Sequence, residues 1–153
     1  MGELPERDHR EIVDLLCRHA EGMDRKDWVL FRSVFTDKID IDYDSHRPGQ
    51  RFRTSADEWT AHVSRRLGRL HATQHALSNV RVAVDEDGHS ARVTAYIRAD
   101  HVELAADGQR SLFTIVGRYV DRVVTTPGGW RIAAVQLDSW WNTGDRTVLH
   151  LDG

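Results

Sequence analysis

The 153-residue chain has little cysteine and little proline: Cys17 is its single cysteine, and only three residues are proline. A lone cysteine excludes an internal disulfide and is typical of a reducing compartment, so we expect a cytoplasmic protein. Because Cys17 lies in an apolar stripe of the first predicted helix, we expect it to be a small core residue. The N-terminal residues lack the apolar stretch of a signal peptide, and no apolar run approaches the roughly 20 residues that a membrane span needs.

The chain also lacks an excess of one charge, since 21 Lys and Arg stand against 24 Asp and Glu, a net charge of −3. Near-balance gives no general attraction to nucleic acid or to an anionic membrane, and we expect neither as a partner. The sequence contains no G-x-S-x-G elbow, Gly-rich phosphate loop, HExxH motif or cysteine pair. His71 and His75 are four residues apart, but no third ligand accompanies them, so we expect no metal and no other cofactor.

The spacing of apolar residues predicts an α+β domain. Helices are predicted over 6–23 and 28–34, a strand over 39–44, a loop over 45–53, a third helix capped by Thr54 or Ser55, and strands at about 75–85, 90–104, 110–124 and 129–141. Residues 1–141 form the single predicted domain, and 142–153 a loosely held tail. Because short turns join antiparallel strands, we expect a curved, mostly antiparallel sheet covered on one face by the three N-terminal helices, with a pocket between the layers.

Two polar residues, His19 and Asp24, end the inward face of the first predicted helix. A carboxylate among apolar neighbours needs a partner, unless Asp24 is simply a solvated or capping residue at a helix end. His75, which begins the first long strand, is the natural partner, although an ordinary loop histidine is the alternative. A histidine facing a buried carboxylate can act as a general base near neutral pH. The apolar alternation changes parity after Leu77, which predicts a β-bulge near Asn79.

Three further side chains are candidates for the pocket or its surroundings. His101 ends an otherwise apolar strand face, so it either looks into the pocket or lies at its rim. Tyr43 follows the first predicted strand, where its phenol could donate a hydrogen bond to a carbonyl or hydroxyl oxygen, or simply pack. Trp140 is a candidate for a lid over the pocket or for a contact between subunits, because an open sheet edge needs cover.

Three stretches, taken in order, resemble the SnoaL-like branch of the nuclear transport factor 2-like superfamily. They are residues 18–28, which hold Asp24 and Trp28, residues 71–80, which hold His75, and residues 117–122 followed by 129–132. The resemblance implies a cone-shaped fold with an internal pocket and a homodimer or homotrimer. The dehydratase-like members, which include scytalone dehydratase, bile acid 7α-dehydratase and hexachlorocyclohexane dehydrochlorinase, use an Asp–His pair to remove a proton. Their aspartate and histidine match Asp24 and His75, and their further site residues match Tyr43 and, less closely, His101.

Two positions depart from these relatives. His19 stands where they have Tyr or Lys, and Val135 stands where the dehydrochlorinase has an arginine that helps to bind the leaving group. A halide leaving group is therefore not favoured. The pocket wall predicted from the sequence and the resemblance consists of Trp28, Leu77, Val135 and Trp140.

The resemblance implies a cofactor-independent lyase or isomerase that acts on a small, largely apolar, oxygenated ring compound. In the implied reaction His75, supported by Asp24, removes the proton, and Tyr43, His19 or His101 hydrogen-bonds the carbonyl oxygen or protonates a departing hydroxyl. Dehydration is the preferred reaction and cyclisation a possible one. The alternative is a non-catalytic small-molecule-binding or assembly module of the same fold, because this fold hosts enzymes and non-enzymes alike. The two readings are distinguished by the distance between Asp24 and His75: side chains too far apart to hydrogen-bond would favour the binding module.

Overall fold

A computed structural model describes residues 3–150 of the chain. It has helices α1 (Glu6–Asp24), α2 (Trp28–Ser33) and α3 (Ala56–Leu67), strands β1 (Phe35–Asp42), β2 (Arg51–Ser55), β3 (Ala72–Val84), β4 (Ser90–Leu104), β5 (Arg110–Thr126) and β6 (Gly129–Gly144), and a short 3₁₀ helix (Arg146–Leu149). None of the helices in these described residues is both long and apolar enough to cross a membrane.

The six strands form one open sheet in the order β2-β1-β6-β5-β4-β3. All neighbouring strands are antiparallel except β1 and β6, which run parallel. The three helices pack on the inner face of this sheet, where the apolar side chains of α1, α3 and the strands form one core. The predicted α+β class, with a mostly antiparallel sheet and three helices, is confirmed.

Strand β2 occupies positions that the sequence predicts as loop. The strand is short and its first three side chains are exposed, so it has no apolar alternation for a sequence pattern to show. Its pairing with β1 is supported by two cross-strand ion pairs, Arg51–Asp42 at 3.0 Å and Arg53–Asp40 at 3.3 Å. Charged side chains of this kind are usual on edge strands, where they discourage pairing with a second chain.

Helix α1 turns a different stripe toward the sheet from the one that holds Cys17. Ile12, Leu15 and His19 are buried, whereas Cys17 is exposed, so the prediction of Cys17 as a core residue is wrong. The two stripes lie side by side on the helix and differ by a small rotation, which apolar spacing alone does not resolve. The rotation seen in the structure is the one that brings His19 and Met23 fully inward.

A β-bulge interrupts β3, as the change of parity predicts. The register with β4 shifts between Ser78 and Arg81, and Asn79 has a φ of 53°, in the left-handed region that asparagine tolerates. Before the bulge, His75 and Leu77 are the less exposed positions; after it, Val80 and Val82 are. The bulge therefore lets the first half of β3 present His75 inward while the second half still contributes apolar side chains to the core.

Residues 142–149, predicted to belong to a loosely held tail, are ordered parts of the fold. Strand β6 continues to Gly144, and the 3₁₀ helix after it buries Val148 and Leu149. Arg66 of α3 and Arg69, which follows α3, hold this helix by donating to the carbonyl oxygens of Leu149 and Val148, at 2.7 and 2.6 Å respectively. Residues 151–153 of the predicted tail lie outside the described residues.

Helix α3 begins with a capping box, and its loss has a measurable cost. The Ser55 hydroxyl accepts from the Glu58 amide at 3.1 Å, and the Glu58 carboxylate accepts from the Ser55 amide. Because Ser55→Ala leaves a helix N–H without its partner, we expect it to lower the free energy of unfolding by about 1 kcal/mol in urea titrations. Ser64→Ala, in the same helix but away from its N-terminus, is the control, and an equal loss there would contradict the capping role.

Candidate active site

The carboxylate of Asp24 joins the end of α1 to the beginning of β3. It accepts three hydrogen bonds: from the Thr73 hydroxyl at 2.9 Å, from the His75 amide at 2.9 Å and from His75 Nδ1 at 2.7 Å. The chain can leave α1 abruptly after Asp24 because Lys26 adopts a left-handed conformation, with a φ of 54°. The predicted meeting of Asp24 and His75 therefore occurs in the fold, with Nδ1 facing the carboxylate.

The hydrogen bonds determine the protonation state of Asp24. Burial raises the pKa of Asp24, but the hydrogen bonds from His75 and Thr73 outweigh it, and the pKa lies below its usual value. Asp24 is therefore ionised at neutral pH and accepts a hydrogen bond from Nδ1 of the His75 ring. This contact favours the tautomer with its proton on Nδ1, in which Nε2 carries a lone pair, the form that a general base requires.

His101 lies beside His75, with the two ring centroids 5.5 Å apart and the rings perpendicular. Its Nδ1 is 3.1 Å from the carbonyl oxygen of Phe113, which can only accept, so Nδ1 carries the proton. Burial, and secondarily the nearby His75, lower the pKa of His101 to about 4. At neutral pH the Nε2 of His101 is consequently an acceptor and has no proton to give.

His19 is buried among aromatic rings on the other side of the site. Its ring centroid is 5.4 Å from that of Phe31, 5.5 Å from Phe35 and 5.6 Å from Tyr119. Burial, with a smaller contribution from His75, lowers the pKa of His19 to about 3. The His19 side chain is thus a neutral imidazole surrounded by aromatic rings.

Tyr43 and Tyr119 supply neutral phenols to the site. Burial raises the pKa of both hydroxyls, so both stay protonated and can donate hydrogen bonds at neutral pH. Tyr43 packs edge-on against Trp59, with centroids 5.6 Å apart. The role of Tyr119 is not foreseen from the sequence, although its place two residues after Gly117 in the alternating strand β5 puts it on the inward face.

These residues surround a cavity of about 110 Å³. That is of the same order as the roughly 150 Å³ of an apolar protein cavity that holds benzene, so the enclosed space suits a molecule of no more than about one ring. Its wall is mainly apolar and aromatic, with five histidines and two arginines among its polar groups: His19, His46, His62, His75, His101, Arg47 and Arg66. Within residues 3–150, no three His, Cys, Asp or Glu side chains are grouped as metal ligands would be.

Four of the five predicted catalytic candidates line this cavity, namely His19, Tyr43, His75 and His101, and the fifth, Asp24, supports His75. The predicted wall residues Trp28, Leu77, Val135 and Trp140 do not line it.

The structure gives a reason for each misplaced wall residue. Trp28 packs on Phe31 with ring centroids 5.8 Å apart, and Leu77 and Val135 pack into the core. Trp140 lies beyond a register shift between β5 and β6, which turns it to the outer side against Tyr96.

The side chains that sequence reasoning missed come from α3 and from the turn after β1. Trp59, His62 and Arg66 lie on α3, and His46 and Arg47 lie in the turn that the Tyr43 amide closes by donating to the Gln50 carbonyl. The helical pattern of apolar residues predicts that Trp59 faces inward. The same pattern does not predict that the turn after β1 folds over the same cavity.

The family model of the SnoaL-like domain matches residues 6–136, which confirms the resemblance seen in the sequence. No curated protein is a significant sequence match.

Three of the solved structures that are similar to the chain illustrate the likeness. The Kfla4162 protein of Kribbella flavida is 30% identical with a TM-score of 0.82, over 90% of this chain and 94% of its own. A candidate aromatic ring hydroxylase of Novosphingobium aromaticivorans is 23% identical with a TM-score of 0.80, over 96% and 99%. A candidate scytalone dehydratase of the same organism is 19% identical with a TM-score of 0.76, over 90% and 87%. The last two likenesses show the fold alone.

The buried histidines predict that the protein loses stability as the pH falls below about 6.5. The unfolded chain protonates His19 near pH 6.5, whereas the folded chain does so only near a pKa of about 3, so folding opposes protonation between these values. We expect His19→Gln to flatten the dependence of unfolding free energy on pH by up to about 1.4 kcal/mol per pH unit, as measured by urea titrations between pH 6.5 and 4. His71→Gln, at an exposed histidine, is the control. Equal slopes for the wild type and His19→Gln would contradict a neutral buried His19.

Proposed function

Because the chain belongs to the SnoaL-like domain family, we propose that it is a cofactor-independent lyase or isomerase that uses Asp24 and His75 to move a proton. Its substrate is a small, largely apolar, oxygenated ring compound, and dehydration is the preferred reaction. The observation that carries this proposal is the 2.7 Å contact between His75 Nδ1 and Asp24 Oδ1 on a residue that faces the cavity.

The first step of the proposed reaction is proton abstraction. His75 Nε2 takes a proton from the carbon next to a carbonyl, and the Asp24 carboxylate stabilises the imidazolium that forms. The electron pair of the broken C–H bond moves onto the carbonyl oxygen, where Tyr43 or Tyr119 donates a hydrogen bond to the enolate. A positioned base contributes about 10²–10⁴-fold to the rate, and donors aimed at the developing oxyanion supply much of the rest.

The second step returns the proton. His19 and His101 are neutral at pH 7, and the Nδ1 proton of His101 is held by the Phe113 carbonyl, so neither histidine is the acid that a departing hydroxyl needs. The His75 imidazolium is the remaining acid: it gives its proton to the β-hydroxyl, water leaves, and the enolate electrons form the carbon–carbon double bond. In this proposal one residue removes and returns the same proton, so hydrogen and hydroxyl depart from the same face of the ring.

The non-catalytic binding module remains the alternative function. The contact between Asp24 and His75 supports the enzyme, because a module that only binds an apolar molecule has no need of an ionised carboxylate against a histidine, and burying such a charge is costly. Cyclisation or a double-bond shift would use the same base and the same oxyanion donors. We also propose a cytoplasmic homodimer or homotrimer, since the exposed side chains of Tyr96, Trp140 and Trp141 leave apolar surface to cover.

A deuterium exchange assay tests proton abstraction without knowledge of the natural substrate. One-ring ketones, including cyclohexanone and 3-hydroxycyclohexanone, are incubated with the protein in D₂O, and NMR follows exchange beside the carbonyl and formation of cyclohexenone. We expect Asp24→Asn and His75→Gln to slow enzyme-catalysed exchange by about 10²–10⁴-fold, because each removes the oriented base.

The control is His71→Gln, which removes an exposed histidine and should leave exchange unchanged. Circular dichroism and urea titration establish that the two site variants are folded. Exchange by the wild type that is no faster than exchange by either folded variant would overturn the proposal and leave the binding module as the function.

A further inference from the structure

One side of the cavity carries positive charge that no carboxylate of residues 3–150 balances. Arg47 and Arg66 both line the cavity, and neither has a carboxylate within ion-pair distance in residues 3–150. Arg69, just after the end of α3, does have such a partner in Glu103, at 3.3 Å. The two arginines that face the cavity are thus left unmatched, while a close neighbour outside it is paired.

The charge of Arg66 is unusual, because its side chain is about half buried and forms no ion pair within residues 3–150. Burial, and then the charges of Arg47 and Arg69, lower the pKa of its guanidinium. One nitrogen, Nη2, donates to the Leu149 carbonyl at 2.7 Å, which fixes the direction of the side chain but does not neutralise its charge. A guanidinium has five N–H donors, so most of its donors remain available to a ligand.

Two buried nitrogen atoms beside these arginines also lack partners. Trp59 is 5% exposed and lines the cavity, and its Nε1, which can only donate, has no hydrogen bond. His46 Nδ1 is buried and unpaired in the same wall. An unmade hydrogen bond from a buried donor costs free energy, and each such atom in a native fold calls for a missing partner.

These groups share one chemical preference. The guanidinium and indole groups are donors, and a carboxylate is an acceptor that can bind a guanidinium through two parallel hydrogen bonds. The positive field extends over both histidines of this wall. Burial, and then the charges of Arg146, Arg66 and Arg47, lower the pKa of His46 to about 4. Burial, and then the charges of Arg66, Arg65 and Arg47, lower the pKa of His62.

We propose that Arg47, Arg66 and the indole N–H of Trp59 bind the carboxylate of the substrate, so that the substrate of the proposed reaction is a small ring acid bearing a carbonyl or hydroxyl group. The inference rests on the proposed function for the identity of the reaction, but not for the binding itself. The carboxylate would anchor one end of the ring at the arginines, and the reacting carbon would face His75, with His101 between the two groups of residues.

The test compares a small ring acid with its uncharged amide. Benzoate and benzamide have nearly the same shape, and their binding is measured by isothermal titration calorimetry and by the shift in melting temperature. We expect benzoate to bind the wild type at least about tenfold more tightly than benzamide, because hydrogen bonds to charged groups contribute more than neutral ones. Arg66→Met should abolish this preference, whereas Arg65→Met, which removes the same charge from an exposed neighbour on α3, should retain it.

Arg47→Met serves as a second variant in case Arg66→Met loosens the 3₁₀ helix. Asp24→Asn separates the two proposals. We expect this variant to keep the preference for benzoate, since neither Arg47 nor Arg66 contacts Asp24 or His75. Equal affinity of the wild type for benzoate and benzamide, including no measurable binding of either, would overturn the inference. So would a preference for benzoate that survives in both Arg47→Met and Arg66→Met. If Asp24→Asn loses catalysis but still prefers benzoate to benzamide, the result supports the carboxylate site and the role of Asp24 in the proposed reaction separately.

Discussion

The Asp24 carboxylate is the constraint on which the rest of the site depends. It sits where α1 ends and takes hydrogen bonds from the side chain of Thr73 and from the backbone and ring of His75. A carboxylate in apolar surroundings is tolerated only when it is satisfied in this way, because removing a charge from water costs several kcal/mol. The same three contacts set where β3 begins, which way the His75 ring points and which of its nitrogens holds the proton. The hydrogen bonds to Asp24 therefore both position β3 against α1 and orient the His75 ring.

Burial then acts in opposite directions on the groups around this pair. It keeps His19 and His101 unprotonated and keeps Tyr43 and Tyr119 un-ionised, so each of them is neutral. Among the described residues, the charged groups at the cavity are Asp24, behind His75, and Arg47 and Arg66 in its wall. A site of this kind has one base, a set of neutral donors and acceptors, and a fixed electric polarity, which together determine how a polar ring compound could lie in it.

Periodicity and motifs were sufficient for most of the fold and for the centre of the site, but not for its walls. The bounds of α1 and β4 follow from apolar spacing, and Asp24 and His75 follow from an ordered set of motifs. Strand β2 escapes prediction because ion pairs with β1, rather than an apolar face, hold it at the edge. Trp140 is misplaced because a register shift between β5 and β6 changes its side of the sheet. Arg47 and Arg66 meet only through tertiary folding, and no local pattern in either segment records that contact.

The bulge at Asn79 divides β3 into two segments that follow opposite parities. Side chains that serve the cavity and side chains that serve the core consequently stand on separate stretches of one strand. Mutations in the second stretch can alter packing without re-aiming His75, and mutations in the first can reshape the site without disturbing Val80 or Val82. In a strand with continuous alternation, the cavity-facing and core-facing side chains would share one stretch, and a mutation there would affect both. This separability is a property that evolution can use, because specificity can drift in one stretch while the other preserves the fold.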